Sequence, residues 1–324
     1  MEDSSTNEFD TFYFGTTVTD TIKAASLDSN SLVIDEQYGT TFTELRENKY
    51  IKNIKVYKDM NEKNIKFELS MGLIIKNDIF NIFNHKFIKF EPLRHFYYEN
   101  SREEVPYNVN NLVKNKYMTQ KDKRIFMRIL EGKNNYEDLS DKFRSFLLNA
   151  FLVNERNAHF FTESPENLAQ SFFTYYFSNF NDPYFYFPAF GMKDISEFLG
   201  RTNSFKGIGY LIDKNISISS SLSTEYGIIK CKNMILPEYK SNYHCRCIYS
   251  SLYIEDPYFM VTSKNLRILA LNNKFFHCTE GMVFFIWNEN EISNDILEIL
   301  NLSESQVDLD ISFISLVEDE FIYK

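Results

Sequence analysis

The 324-residue chain carries 35 Lys and Arg against 45 Asp and Glu, a formal net charge of −10, and 44% of its residues are hydrophobic. That length and apolar fraction supply a buried core for one large unit or two compact ones. The acidic balance argues against a nucleic-acid binder and against adhesion to an anionic membrane, since both need a concentrated basic surface.

From the N-terminus, Phe9 to Phe14 reads as an aromatic strand, Val18, Ile22 and Ala25 are spaced for one face of a helix, and Ser31 to Ile34 reads as a second strand ending at Asp35. This βαβ order predicts a parallel sheet. Strands are expected at Phe87 to Phe90 and at Phe96 to Tyr98, closing at Val105-Pro106. Helical signals then follow: Thr119 with Asp122 three residues on and Gly132 as a stop, Ser140 before Phe143, Phe146, Leu147, Ala150 and Phe151, and Ser164-Pro165. Strands return at Gly207 to Ile212, Gly227 to Cys231, Cys247 to Ile254, Arg267 to Leu271 and Val283 to Trp287, and a helix at Ile292 to Leu300. The expected fold is α/β, a Rossmann-type βαβ domain with mixed sheets made of residues 1–109 and 179–324, with a small helical domain inserted at 110–178.

Between the first strand and helix, a dinucleotide-binding turn needs G-x-G-x-x-G, so that the backbone can approach a pyrophosphate at the helix N-terminus. Here the turn reads Gly15-Thr16-Thr17-Val18-Thr19-Asp20. Gly15 is kept. Thr17 stands at the second position, where its branched side chain is expected to intrude on the phosphate, and Asp20 at the third brings a negative charge. Asp35 ends the second strand, where a ribose-binding acid is expected. The fold signal survives and the binding chemistry does not.

The helix expected after Gly191 places Ile195, Phe198, Leu199, Thr202 and Phe205 on an apolar face, and Asp194, Glu197 and Arg201 on the opposite side. An acid-acid-arginine face suits recognition of a folded partner or is simply solvated, since surface ion pairs are common and worth under roughly 1 kcal/mol. His244-Cys245-Arg246-Cys247 with His277-Cys278 invites a zinc reading, but the usual C-x-x-C spacing is missing and a thiol opening an apolar strand is normally buried, so no metal is expected. Four cysteines are too few for a disulfide scaffold of this size. Nucleophile-elbow, P-loop and H-E-x-x-H motifs are all missing, and no catalytic residue is assigned. Met1 to Asn7 is acidic and polar and reads as no signal peptide, the longest apolar runs are too short to span a bilayer, and the last residues form no prenylation box. A cytoplasmic chain is expected.

Phe14 to Ser26 (FGTTVTDTIKAAS) resembles the opening motif of the Rab GDP-dissociation inhibitor and Rab escort protein family, and Leu32 to Gly39 (LVIDEQYG) resembles that family's strand-and-tyrosine segment. The most extended match is Asp182 to Arg201 (DPYFYFPAFGMKDISEFLGR), followed by Phe205 to Ile212 (FKGIGYLI). Order and spacing agree over most of the chain, which would be a short, divergent member. The resemblance implies an FAD-dependent-oxidoreductase-like fold used without a flavin or other cofactor. It implies binding of GDP-bound, prenylated Rab GTPases, inhibition of GDP dissociation, and a chaperone role for their lipid-bearing C-termini in vesicle traffic. In an escort role the partners include Rab geranylgeranyl transferase; membrane association is transient and through the Rab, and nucleic acid is not a partner. The same resemblance places Tyr38, Asp194, Glu197, Arg201 and Leu211 on a Rab-binding platform, with Gly15, Thr17, Asp20 and Asp35 as a vestigial nucleotide motif. In the helical unit, Phe146, Phe151, Phe172, Phe173 and Tyr176 are candidates for an isoprenoid slot or for a packed helical core. The alternative reading is a divergent FAD-dependent oxidoreductase of the same fold.

Overall fold

An aromatic run folds as a strand when alternate side chains find cores on opposite faces. In the computed structural model, β1 (Asn7–Phe14) and β2 (Ser31–Asp35) do this. Phe12, Phe14, Leu32 and Ile34 enter one core, while Tyr13 and Val33 join Ala24 and Ile208 in another. Between the strands lies α1 (Val18–Ala24). The structure describes residues 7–59, 66–69, 72–75, 87–90, 95–98, 101–104, 109–116, 118–131, 133, 138–141, 185–213, 216, 218–224, 227–237, 239, 242–252, 258–262, 266–272, 281–293, 295–317 and 320–322.

The elements that follow are β3 (Thr41–Phe42), β4 (Ile51–Lys58), β5 (Phe67–Glu68), β6 (Gly72–Ile75), β7 (Phe87–Phe90), β8 (His95–Tyr98) and β9 (Ser101–Glu104), then the helices α2 (Val109–Lys114) and α3 (Gln120–Leu130). β10 (Phe185–Pro188) leads into α4 (Lys193–Ser204) and β11 (Gly209–Ile212). The chain continues with β12 (Ser221–Thr224), β13 (Gly227–Ile235), β14 (Tyr243–Ser250), β15 (Tyr258–Thr262), β16 (Arg267–Asn272), β17 (Met282–Asn288), α5 (Ile296–Ile299), β18 (Val307–Ser315) and β19 (Glu320–Ile322).

The five-stranded sheet has the order β11-β2-β1-β13-β12, and its first four strands run parallel. Parallel neighbours need crossovers, and α1 and α4 serve as helical connections preceding β2 and β11. An eight-stranded sheet, β4-β18-β14-β17-β16-β15-β8-β9, is largely antiparallel, and four- and two-stranded sheets complete the set among the described residues. The fold is therefore α/β with a Rossmann-like unit and mixed sheets.

The large sheet is buried on both faces through its centre. Ile248, Ile268, Phe284 and Ile286 pack with Ile296 and Leu300 around α5, and burial is continuous along β16 and β17 and from Cys245 onward along β14. Cys245 and Cys247 are buried free thiols on β14, and burial pushes Cys245 well above the ordinary thiol range. Arg246, between them, forms a two-pronged ion pair with Asp310 of β18: Nε to Oδ1 2.7 Å and Nη2 to Oδ2 2.6 Å. Tyr57 of β4 lies against the guanidinium, 4.9 Å from its ring centroid, and Ser293 O accepts from Nη1 at 3.3 Å.

Thr119 caps α3 as expected, its hydroxyl accepting from Asp122 N at 3.0 Å. The strand expectations at Gly227, Cys247, Arg267 and Val283 find β13, β14, β16 and β17, although β14 begins earlier, at Tyr243. The helix expected from Ile292 is shorter, Ile296–Ile299. The expected α1 face needs correction: Ile22 is 52% exposed, and the inward positions are Val18, Asp20, Thr21 and Ala24.

Candidate functional site

The turn after β1 is built around Asp20. Thr17 caps α1 by accepting from Asp20 N at 3.1 Å, and the Asp20 carboxylate accepts from Thr17 N at 3.2 Å and Thr17 Oγ1 at 2.7 Å, a reciprocal capping box. Thr17 thus turns toward its own helix rather than into the space above the turn. Tyr13 donates to Asp20 Oδ1 at 3.1 Å and Tyr239 to Oδ2 at 2.8 Å. A Cβ on Gly15 would stand 2.6 Å from Asp20 Oδ2 and 2.8 Å from the Tyr239 hydroxyl. The open approach to the backbone that a pyrophosphate requires is filled by these two side chains.

Asp35 is equally engaged. Its side chain is fully buried and pairs with Lys49 Nζ at 3.0 Å. Tyr50 donates to its Oδ2, Thr16 Oγ1 lies 2.9 Å from the same oxygen, and Glu36 N donates to Oδ1 at 2.7 Å. Tyr239 bridges the two acids: its hydroxyl is 3.5 Å from that of Tyr50, with ring centroids 5.1 Å apart. The fold admits a flavin dinucleotide, but these residues do not fit one, because the phosphate approach and the ribose-binding acid are both occupied by internal partners.

Burial raises the Asp20 carboxyl above its ordinary value of 3.8, against the opposing effect of hydrogen bonds from Thr17, Tyr239 and Tyr13. A carboxyl that holds its proton more tightly when folded favours folding most below its unfolded value, and that stability is lost as pH rises through the folded value. The contribution of Asp20 to wild-type denaturant melts is expected to shrink as pH rises above about 4. In Asp20→Asn that component of the slope should vanish; identical slopes would contradict the assignment.

The same turn braces Tyr38. Gly39 N donates to Thr16 O at 3.0 Å, and Thr16 Oγ1 donates to Gln37 O at 2.5 Å. Gly39 adopts φ +67°, and a Cβ there would come within 2.7 Å of Lys193 Cα. Only glycine lets the chain pass this close to the start of α4 in that conformation. Tyr38 then lies over α4, its ring centroid 5.8 Å from that of Tyr210.

The apolar face expected for α4 is rotated in the structure by roughly a quarter turn. The inward positions are Ile195, Ser196, Gly200 and Asn203, while Thr202 and Phe205 are exposed. Small and polar residues win because α4 packs closely against α1: Asn203 Nδ2 lies 2.9 Å from both Thr21 O and the Tyr210 hydroxyl. Asp194, Glu197 and Arg201 do lie on the outward side. Glu197 Oε1 and Arg201 Nη2 pair at 2.5 Å, with the arginine side chain 72% exposed. Burial, with Tyr210 and Glu197 adding to it and Arg201 opposing, pushes the Tyr38 hydroxyl up to about 12, so it is a neutral donor at physiological pH.

Tyr38, Glu197 and Arg201 therefore share one surface. Leu211 does not join them: on β11 it turns to the opposite face from Tyr210 and packs against the Phe12 and Phe14 core. Tyr210 takes its place beside Tyr38; its position one residue before Leu211 on the strand was the available signal. A Cβ on Gly200 would meet Tyr38 Cε1 at 2.9 Å and Tyr210 Cε1 at 3.3 Å. Gly200→Ala should therefore displace the Tyr38 ring and cost about 1–2 kcal/mol in urea melts, overpacking outweighing a helix gain of about 1 kcal/mol.

Phe146, Phe151, Phe172, Phe173 and Tyr176 lie outside the described residues, as do His277 and Cys278. Among the described residues, no group of three or more His, Cys, Asp or Glu is placed to hold a metal ion, and no helix is long and apolar enough to cross a membrane. Tyr13, Tyr50 and Tyr239, which complete the turn, carry no local sequence signal: Tyr50 and Tyr239 are 189 positions apart.

This is an α/β protein with a Rossmann-like unit whose nucleotide turn is closed by its own side chains. Among solved structures, the chain is similar to a Rab GDI from Plasmodium falciparum at 15% identity and TM-score 0.59, covering 99% of this chain and 93% of that one. A protein from Pyrococcus furiosus aligns at 11% identity and TM-score 0.52 over 94% of this chain and 88% of its own. An oxidoreductase from Methanosarcina mazei aligns at 11% identity and TM-score 0.43 over 90% and 81%. No family model matches the sequence, and no curated protein matches it.

Proposed function

We propose that the chain is a non-catalytic regulator that binds GDP-bound Rab GTPases, slows GDP release and shields their prenylated C-termini, as a GDP-dissociation inhibitor or as an escort to the geranylgeranyl transferase. The observation that carries this reading is the Tyr38 surface. Asp20 and Asp35 are turned inward, and Thr16 of the same turn braces the segment that sets Tyr38 against Gly200 of α4, beside the outward face that bears Glu197 and Arg201. The fold likeness to a Rab GDI supports it. In this reading Asp194 lies on the same platform, Gly15, Thr17, Asp20 and Asp35 are a vestigial nucleotide motif, and the helical unit at 110–178 receives the lipid. The protein acts in the cytoplasm and meets membranes only through its Rab.

Membranes loaded with prenylated, GDP-bound Rab test this directly. Addition of the chain should move the Rab to the soluble fraction or, for an escort, support its prenylation by the transferase. Neither effect at saturating protein would overturn the reading. A purified chain that takes up FAD stoichiometrically would favour the oxidoreductase alternative instead.

A further inference from the structure

Phe205 is 94% exposed. Single exposed apolar residues are common on soluble proteins, but this one is not on a floppy tip. Its N–H donates to Arg201 O at 3.3 Å as the cap of α4. Two residues on, Gly207 adopts φ +93° and donates to Ser204 O at 3.0 Å, and the buried Ile208 donates to Asn203 O at 3.3 Å. The backbone is held on both sides, so the ring is presented from a fixed point at little further entropic cost on binding.

Its direction also matters. Glu197, Arg201 and Phe205 follow one another at four-residue spacing, so the ring stands in line with the ion pair on the outward side of α4. Arg201 and Lys206 flank it, both exposed. With the Glu197 carboxylate paired to Arg201, the charges of Glu197, Arg201 and Lys206 around the ring are mixed and sum to a net positive border, which, on a chain of net charge −10, is complementary to an apolar pocket bordered by carboxylates. Aromatic and arginine side chains are the residue types that most often carry binding energy at such contacts.

We propose that Phe205 is the apolar anchor of this surface, its ring seating in an acid-rimmed apolar pocket on the folded GTPase that the platform binds. The inference rests on the Rab-binding reading above and names the residue that supplies its affinity.

The test is calorimetric titration of GDP-loaded Rab with the full chain and with Phe205→Ala, Phe205→Leu and Arg201→Glu, alongside denaturant melts and sedimentation of each. Phe205→Ala should weaken binding about 30-fold with an unchanged melt, and Phe205→Leu should recover part of the loss. If the wild type binds, Arg201→Glu does not, and Phe205→Ala binds like the wild type, the anchor is wrong and the platform stands. If the wild type does not bind, the Rab reading itself falls. If the wild type sediments as a dimer that Phe205→Ala dissolves without loss of Rab binding, the ring serves self-association and the proposal is overturned.

Discussion

Arg201→Glu is expected to lower affinity for GDP-bound Rab by at least about 100-fold, roughly 2.7 kcal/mol, while leaving the fold intact. The reversal removes an exposed charge from the proposed contact surface and places a carboxylate where Arg201 now stands beside Glu197 and Tyr38. Like charges across or within an interface cost several kcal/mol when desolvated. In the free protein the same change is mild. The Glu197–Arg201 pair is an i,i+4 surface pair, worth about 0.3–0.5 kcal/mol, and its replacement by two acids costs a similar amount. Titration together with a urea melt separates the two effects. A variant that melts like the wild type and binds like it would remove Arg201 from the site.

The largest effect on stability is expected in the eight-stranded sheet. Asp310→Ala should cost about 3–5 kcal/mol, because it leaves the Arg246 guanidinium buried without its carboxylate. Both side chains are under one-tenth exposed, and both oxygens of Asp310 are used. Replacing the pair together, as Arg246→Met with Asp310→Leu, should recover most of that loss, since desolvating two charges offsets much of their attraction. A double variant as unstable as Asp310→Ala would show that Arg246 matters through its contacts with Tyr57 and Ser293 instead.

These two sites differ in how visible they are in the sequence. The β1–α1–β2 unit is legible from the aromatic run before Gly15 and the apolar run from Ser31, although the inward face of the helix between them is not. The substitutions at Thr17 and Asp20 are legible as departures from a dinucleotide turn. Their structural meaning is not, because the partners that close the turn, Tyr50 and Tyr239, are distant in the chain and stand among many aromatics.

The α4 face misleads for a different reason. Counting apolar positions favours Phe198, Thr202 and Phe205, but close packing against α1 selects the small residues Ser196 and Gly200 and the bonding capacity of Asn203. Volume at the helix contact, rather than hydropathy, sets the rotation. β4 has no strand signature: Lys52, Lys55 and Lys58 interrupt it, which suits an edge strand exposed on most of its length. In β18, Asp310 sits in an apolar strand because Arg246, 64 positions earlier, waits beside it. No local pattern announces that pair.

The most direct measurement of the central claim is the rate at which Rab releases a fluorescent GDP analogue. Saturating wild-type chain should slow release by about tenfold or more, and Arg201→Glu at the same concentration should leave it at the unassisted rate. Release that is unaffected by the wild type, with the chain folded and the Rab fully loaded, would contradict the account.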